Sequence, residues 1–400
     1  MRVREFVRAG HWPTLVCAFL YFDMSFMVWM LLGALGVFIA QEFGLTPAEK
    51  GLLVAVPVLG GTVLRIVMGV ASDRWGAKRA GIAGMLLTAV PLLWGGFAMH
   101  SFAASLAVGA LLGVAGASFA VALPIASRWY PPQFQGLAMG IAGAGNSGTV
   151  IAALCAPRLA EIIGWRGVFR VALIPLCVVL LAFTMFARES PVQPPRPRYR
   201  AMLGEPDLWW LNLFYCITFG GFVGLASFLP IFFFDQYGCS RVTAGTWAAL
   251  CVAAGSFLRP VGGHLADRLG GDSVLGVLYA GIAMLAALLA QLPGQAPALA
   301  LLVAIMACLG MGNGAVFQLV GQRFCGEVGV ATGIIGAAGG LGGFVLPSAF
   351  GMLKQVVGSY GVGFALFAVV TGSAAFTLTL VRREWRQSWA SFGIASSPTP

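Results

Sequence analysis

Twelve apolar stretches, each about long enough to cross a bilayer, recur along this chain of 400 residues and leave little sequence for anything else. They lie near residues 14–40, 50–71, 80–99, 103–127, 137–157, 167–187, 207–234, 244–264, 274–292, 297–320, 330–353 and 361–381. A helix needs roughly 20 apolar residues to span a hydrocarbon core about 30 Å thick, so twelve crossings use about 240 residues. The composition agrees, with 59% hydrophobic and only 10% charged residues, where ordinary domains carry about 25% charged residues. A disulfide-stapled secreted scaffold, a nucleic-acid-binding domain and a disordered polymer are all excluded. The pattern predicts an all-α membrane protein of twelve transmembrane helices lying in a lipid bilayer. The first run is too long for a signal-peptide core and is read as a helix.

Glycine contributes 55 residues, about twice its usual share of roughly 7%, which lets helix backbones approach closely in lipid. The eight cysteines form no CxxC pair and sit mostly in apolar runs, so no zinc site or disulfide framework is expected. Basic residues concentrate in one set of loops: Arg2, Arg4, Arg8, Arg74, Lys78, Arg79, Arg128, Arg188, Arg196, Arg198, Arg200, Arg268, Arg323, Arg382, Arg383 and Arg386. The opposite loops hold Lys50, Arg241 and Lys354, with a local exception at Arg158, Arg166 and Arg170. By the positive-inside rule both termini are expected in the cytoplasm, for a protein of a bacterial-type inner membrane.

The one long polar segment, Glu189 to Arg200, is rich in Pro and Arg and reads as a semi-rigid linker. It divides the chain into an N-terminal six-helix half (1–187), a cytoplasmic linker (188–206), a C-terminal six-helix half (207–381) and a cytoplasmic tail (382–400). The halves repeat. Leu64-Arg-Ile-Val-Met-Gly-Val-Ala-Ser-Asp-Arg-Trp-Gly76 matches Leu258-Arg-Pro-Val-Gly-Gly-His-Leu-Ala-Asp-Arg-Leu-Gly270 at an offset of 194. Gly140-Ile-Ala-Gly-Ala144 echoes Gly333-Ile-Ile-Gly-Ala337 at an offset of 193. Repeated helical halves are what alternating access requires, one bundle rocking against the other around a midplane site.

Arg65 and Arg259 stand eight residues before the loop residues Asp73 and Asp267. At about 1.5 Å rise per residue each lies about 12 Å into the hydrocarbon. An intramembrane Arg is costly and normally faces a cavity, and it cannot escape by losing its proton. Two of them at equivalent positions make a positive centre suited to an anion. Gly61 and Gly69 flank Arg65 one turn away on either side and keep that helix face open. Acidic residues within spans are almost limited to Asp23 and Asp235, which leaves few structural counter-ions.

The loop Gly69-Val-Ala-Ser-Asp73-Arg74-Trp-Gly76-Ala-Lys78-Arg79 resembles the signature that follows the second helix in the major facilitator superfamily. Asp267 and Arg268 stand in its second-half counterpart, which lacks the closing basic pair. Asp73 and Asp267 can accept from helix N-terminal amides or pair with neighbouring Arg; the plainer reading is a helix-ending turn with solvated charges. Spans five and eleven carry glycine strings: Gly143, Gly145 and Gly148 in one, Gly336, Gly339 and Gly340 in the other. No strand surrounds them, so a nucleotide loop is excluded.

These strings and the Arg pair resemble the signatures of the nitrate/nitrite porter family within that superfamily. The resemblance implies a secondary transporter of nitrate and/or nitrite, in nitrate assimilation, working by proton symport or by nitrate/nitrite antiport. It further implies that Arg65 and Arg259 clamp the anion, that Asn146 and Tyr215 donate to it, and that Phe rings sandwich it. Phe219, one turn beyond Tyr215, Phe26 and Phe119 are the candidate rings, with ordinary core packing the alternative for each. Nitrate is small, planar and weakly hydrated, so flat guanidinium donors and aromatic walls can replace its water shell. Asn313 and Gln318 on span ten either extend a polar lining or bond across helices.

Asp23 lies about 13 Å deep in span one by the same rise, where a carboxyl is expensive unless paired or protonated. It reads either as a structural counter-ion or as a proton-coupling group that balances one Arg when the site is empty. No enzymatic constellation or cofactor site is visible, the three His being scattered at 11, 100 and 264. A carrier of another small anion, such as a mono- or dicarboxylate, is the alternative within transport. A non-transporting anion sensor is the alternative outside it, disfavoured by termini with no signalling domain. Two halves around one central site need no partner chain, so a monomer is expected.

Overall fold

The computed structural model describes residues 3–190, 202–324 and 328–391. Most of the expected linker, with Arg196, Arg198 and Arg200, lies outside the described residues, as do Arg2, Cys325 and the last nine residues of the tail. The described residues are helical throughout, without a strand. In hydrocarbon no water is available to backbone N–H and C=O groups, so each span must bond internally. Eleven helical stretches among the described residues are long and apolar enough to cross a membrane. The longest, Leu137–Phe186, is broken by non-helical backbone at Gly164 (φ 73°, ψ 155°) and comprises spans five and six. The expected twelve spans are therefore present.

The turns carry the internal repeat further than the Asp-Arg loops do. Positive-φ glycines among the described residues fall into three pairs, each 194 residues apart: Gly44 and Gly238 (62° and 64°), Gly76 and Gly270 (94° and 86°), Gly164 and Gly358 (73° and 80°). Only glycine adopts this backbone without penalty, so each half stops and restarts its helices at matching points. Span two then restarts through a capping box, in which Thr46 and Glu49 satisfy each other's backbone amides and Pro47 occupies the first turn.

The halves differ in continuity. Span one runs as Trp12–Trp29, Leu31–Ala34 and Gly36–Phe43. Span four divides into Phe102–Gly116 and Phe119–Ser127. Span five passes from Pro132–Gly143 through a 3₁₀ turn, Ala144–Ser147, into the helix that starts at Gly148. Their counterparts, spans seven (Pro206–Tyr237), ten (Gln295–Arg323) and eleven (Val328–Val357), are unbroken.

Two compact units result: Met1–Arg196 with Ser227–Ala249, and Pro197–Ala226 with Leu250–Pro400. Residues 227–249, which the sequence boundaries assign to the C-terminal half, pack with the first unit. Lys50 Nζ donates to both Asp235 oxygens at 2.9 and 2.8 Å, Arg241 Nε to Gln41 Oε1 at 2.8 Å, and Arg158 Nη2 to Thr246 Oγ1 at 2.9 Å. Asp235, an expected intramembrane acid, is thus the partner of a lysine within this unit.

Spans two and four cross at bare backbone, and so do spans eight and ten. A Cβ on Gly113 would stand 2.6 Å from Gly60 Cα, and one on Gly310 equally close to Gly255 Cα. Packing between small residues replaces the hydrophobic force that lipid cannot supply. Gly113→Val is expected to lower the melting temperature in detergent, at a cost of about 1–3 kcal/mol or more from overpacking. Gly281→Ala, where a Cβ meets nothing within 4 Å, should leave it unchanged or raise it slightly.

Candidate functional site

In the first unit, Arg65 is 2% exposed and Phe119 3% exposed, with the guanidinium carbon 5.1 Å from the ring centroid. The break in span four serves this residue. Ala120 N donates to the Ala117 carbonyl, so the Gly116 carbonyl, which a regular helix would commit to Ala120, accepts from Arg65 Nη2 at 3.0 Å. Phe22 connects Phe119 (5.8 Å between centroids) to Phe26 (4.3 Å), and Phe26 continues to Trp29 (5.0 Å). Trp29 Nε1 donates to the Pro57 carbonyl at 2.7 Å, and Gly61 and Gly116 are bare where the indole lies. Gly61 therefore makes room for Trp29, beyond keeping a face open for Arg65.

Asn146 sits in the 3₁₀ turn of span five, 4% exposed, and its Oδ1 has no hydrogen-bond partner among the described residues. Gly145 and Gly148, on either side, are packed against the backbone of Asp23, whereas Gly143 meets only Leu123 at 3.8 Å. The half-buried Asp23 accepts from Ser147 Oγ at 2.5 Å. It forms no ion pair among the described residues, so the expected pairing with an arginine is not made.

The second unit repeats the ring arrangement around Arg259. Its guanidinium carbon lies 5.4 Å from the Phe317 centroid, and its Nη1 has no hydrogen-bond partner among the described residues. Phe317 meets Tyr215 edge-on at 4.9 Å, and Tyr215 stacks on Phe219 at 5.0 Å and 10°. Tyr215 and Phe219 are fully buried, and a Cβ on Gly339 would fall within 3 Å of both rings. Gly336 and Gly340 are buried on the same span. Asn313 and Gln318 both keep side-chain oxygens without partners among the described residues. A guanidinium backed by an aromatic face offers in-plane donors while the ring excludes water, a combination fitted to a flat, weakly hydrated anion.

The loop residues divide between the two expected roles. Asp73 pairs with Arg128 at 2.9 Å, while the amides of Ala77 and Lys78 that open span three are held by Glu189, both at 2.8 Å. Arg74, Asp267 and Arg268 are exposed.

The family model of the Major Facilitator Superfamily matches residues 17–347. A protein of Bacillus subtilis (strain 168) named nitrite extrusion protein is 35% identical over 361 residues, covering 89% of this chain and 90% of its own length. The probable nitrate/nitrite transporter NarK2 of Mycobacterium tuberculosis is 37% identical over 383 residues, covering 92% and 96%. The chain belongs to the nitrate/nitrite porter family of the major facilitator superfamily. As a member of that superfamily it is a transporter and not an enzyme. A crystal structure of a bacterial homologue of the human lysosomal transporter Spinster, inward-facing and occupied, superposes with a TM-score of 0.68 at 20% identity, covering 96% of this chain and 98% of that one. That likeness supports the fold.

In this porter, two rings that sequence reasoning passed over complete the pattern. Phe22 stands one turn before Phe26, the spacing of Tyr215 and Phe219. Phe317 closes Gly314-Ala-Val-Phe317, which matches Gly116-Ala-Ser-Phe119 at an offset of 198. That four-residue echo was a signal within the sequence. Phe317→Ala removes the ring that both Arg259 and Tyr215 touch, and is expected to weaken binding of a small monovalent anion roughly three- to thirtyfold. Isothermal titration of the purified porter measures it, with Phe257→Ala, a 66% exposed ring, as the control that should bind normally.

Proposed function

We propose that this porter carries nitrate, nitrite or both across the membrane by alternating access, with Arg65 and Arg259 as its anion-binding cations. The observation that carries the reading is the repeated pair of a guanidinium and a phenyl face, at 5.1 Å in one unit and 5.4 Å in the other. Asn146 and Tyr215 supply neutral donors, and Phe119, Phe317, Phe26 and Phe219 supply apolar walls. Relatives named for nitrate and nitrite, 35–37% identical over about nine-tenths of the chain, favour this substrate over a mono- or dicarboxylate. The bias of Arg and Lys toward one set of loops supports cytoplasmic termini in a bacterial inner membrane, and two six-helix halves in one chain support a monomer.

Nitrate/nitrite exchange is the coupling that this arrangement favours over proton symport. An intramembrane carboxyl that neutralised an arginine in the empty carrier would let it reorient without cargo, but the Asp23 carboxyl is bonded to Ser147. The test is labelled nitrate influx into proteoliposomes, empty or preloaded with nitrite, with and without an acid-outside gradient. Influx is expected only into nitrite-loaded vesicles, and excess acetate or succinate should leave it unchanged. Gradient-dependent influx into empty vesicles would replace exchange by proton symport. Competition by carboxylates would replace the substrate, and silence in every condition would overturn nitrate transport.

A further inference from the structure

The 3₁₀ turn that carries Asn146 packs on span one at Asp23 and its neighbour Phe22. Gly145, before Asn146, is so close to span one that a Cβ there would stand 2.8 Å from Asp23 N. Gly148, two residues after it, would bring a Cβ within 2.8 Å of the Asp23 carbonyl carbon. Between these two backbone contacts the Asp23 carboxyl accepts from Ser147 Oγ at 2.5 Å, a short O–H···O hydrogen bond. Thr149 Oγ1 donates to the Asn146 carbonyl at 2.6 Å and holds the turn from its other end. The side-chain amide itself is buried, with Oδ1 unbonded among the described residues, and its NH₂ is the group that can donate to an anion.

We propose that Asp23 is a positioning residue for anion binding: its carboxyl fixes the broken segment of span five through Ser147 and thereby holds Asn146 where it donates to the anion. Part of this inference rests on the assignment of Asn146 to the anion site. What Asp23 contributes is a hydrogen-bond acceptor, and its charge is dispensable. A preorganised donor spares the ordering cost that binding would otherwise meet.

The purified full-length protein is compared with Asp23→Ala, Asp23→Asn, Asn146→Ala and the double variant D23A/N146A. The readouts are nitrate influx into nitrite-loaded proteoliposomes and amide hydrogen exchange, by mass spectrometry, over residues 144–149. Asp23→Ala is expected to raise the half-saturating nitrate concentration about tenfold with little change in maximal rate, the scale of a lost cap bond, and to speed exchange in that segment. Asp23→Asn, whose Oδ1 still accepts from Ser147, should recover most of both. The double variant should match Asn146→Ala alone, because a misplaced side chain that is already absent costs nothing further. Equal loss in Asp23→Asn and Asp23→Ala would overturn the proposal in favour of a charge or proton role. Multiplying effects in the double variant, or unaltered exchange over residues 144–149 in Asp23→Ala, would overturn it as well. If Asp23→Ala does not fold, Ser147→Ala removes the same bond from the other side and must give a shift of the same sign that vanishes in the Asn146→Ala background. Absence of nitrate influx by the wild type would instead sink the transport reading, and the exchange measurement still decides whether Asp23 holds the turn.

Discussion

A guanidinium inside hydrocarbon sets the terms for the first half of this protein. Arg65 keeps its proton at any accessible pH, and burial without hydrogen bonds would cost more than a domain's net stability. The chain meets this demand with backbone. Span four tightens locally at Ala117 to Ala120 and releases the Gly116 carbonyl to Arg65, while Phe119, three residues on, covers the guanidinium face. The neighbouring helices then have to come close enough to enclose it. Gly60, Gly61, Gly113 and Gly116 are bare for that reason, Gly60 against the Ala110 backbone, Gly113 against the backbone of Gly60 and Gly61, and Gly61 and Gly116 against Trp29.

The two halves repeat their turns and their arginine–phenyl pairs but not their helix breaks. Matching positive-φ glycines preserve three of the turns in each half, because glycine adopts this backbone without the steric penalty that other residues meet. Continuity within a span is a different matter. Span one is interrupted at Met30 and Leu35, span four beside the Gly116 carbonyl that Arg65 uses, and span five at the turn that carries Asn146, whereas spans seven, ten and eleven are continuous helices. Discontinuous helices in transporters collect at binding sites because freed backbone groups and helix ends are polar partners that need no charged side chain. The asymmetry gives one arginine a fixed carbonyl bond and leaves the other an Nη1 without a hydrogen-bond partner among the described residues.

Much of this was legible before any coordinates. Hydrophobic length alone dictates twelve helices, because nothing else satisfies a backbone in lipid, and the depth of Arg65 and Arg259 follows from rise per residue. The glycine strings were legible as close-packing faces, though not their partners: Gly145 and Gly148 rest on the Asp23 backbone, Gly339 on Tyr215 and Phe219. Phe26 was legible as a ring near the site, yet Phe22 is the one that bridges to Phe119. A residue's helix face can be read from spacing, but which of two phenylalanines one turn apart on that face meets a distant ring is decided by what packs against them.

Sequence by itself determined the number of spans, the repeat and the identity of the buried cations, since these depend on hydropathy and on chemistry that no fold can alter. Tertiary structure decided what those groups bond to. Asp23 has the depth and charge to neutralise an arginine, but its carboxyl meets the Ser147 hydroxyl instead. Glu189, a residue of the polar segment with no evident role, caps span three across more than 100 residues of chain. Such pairings are set by long-range packing: each is one of several that the same residues could satisfy, and only the crossing of distant helices brings the chosen partner within about 3 Å.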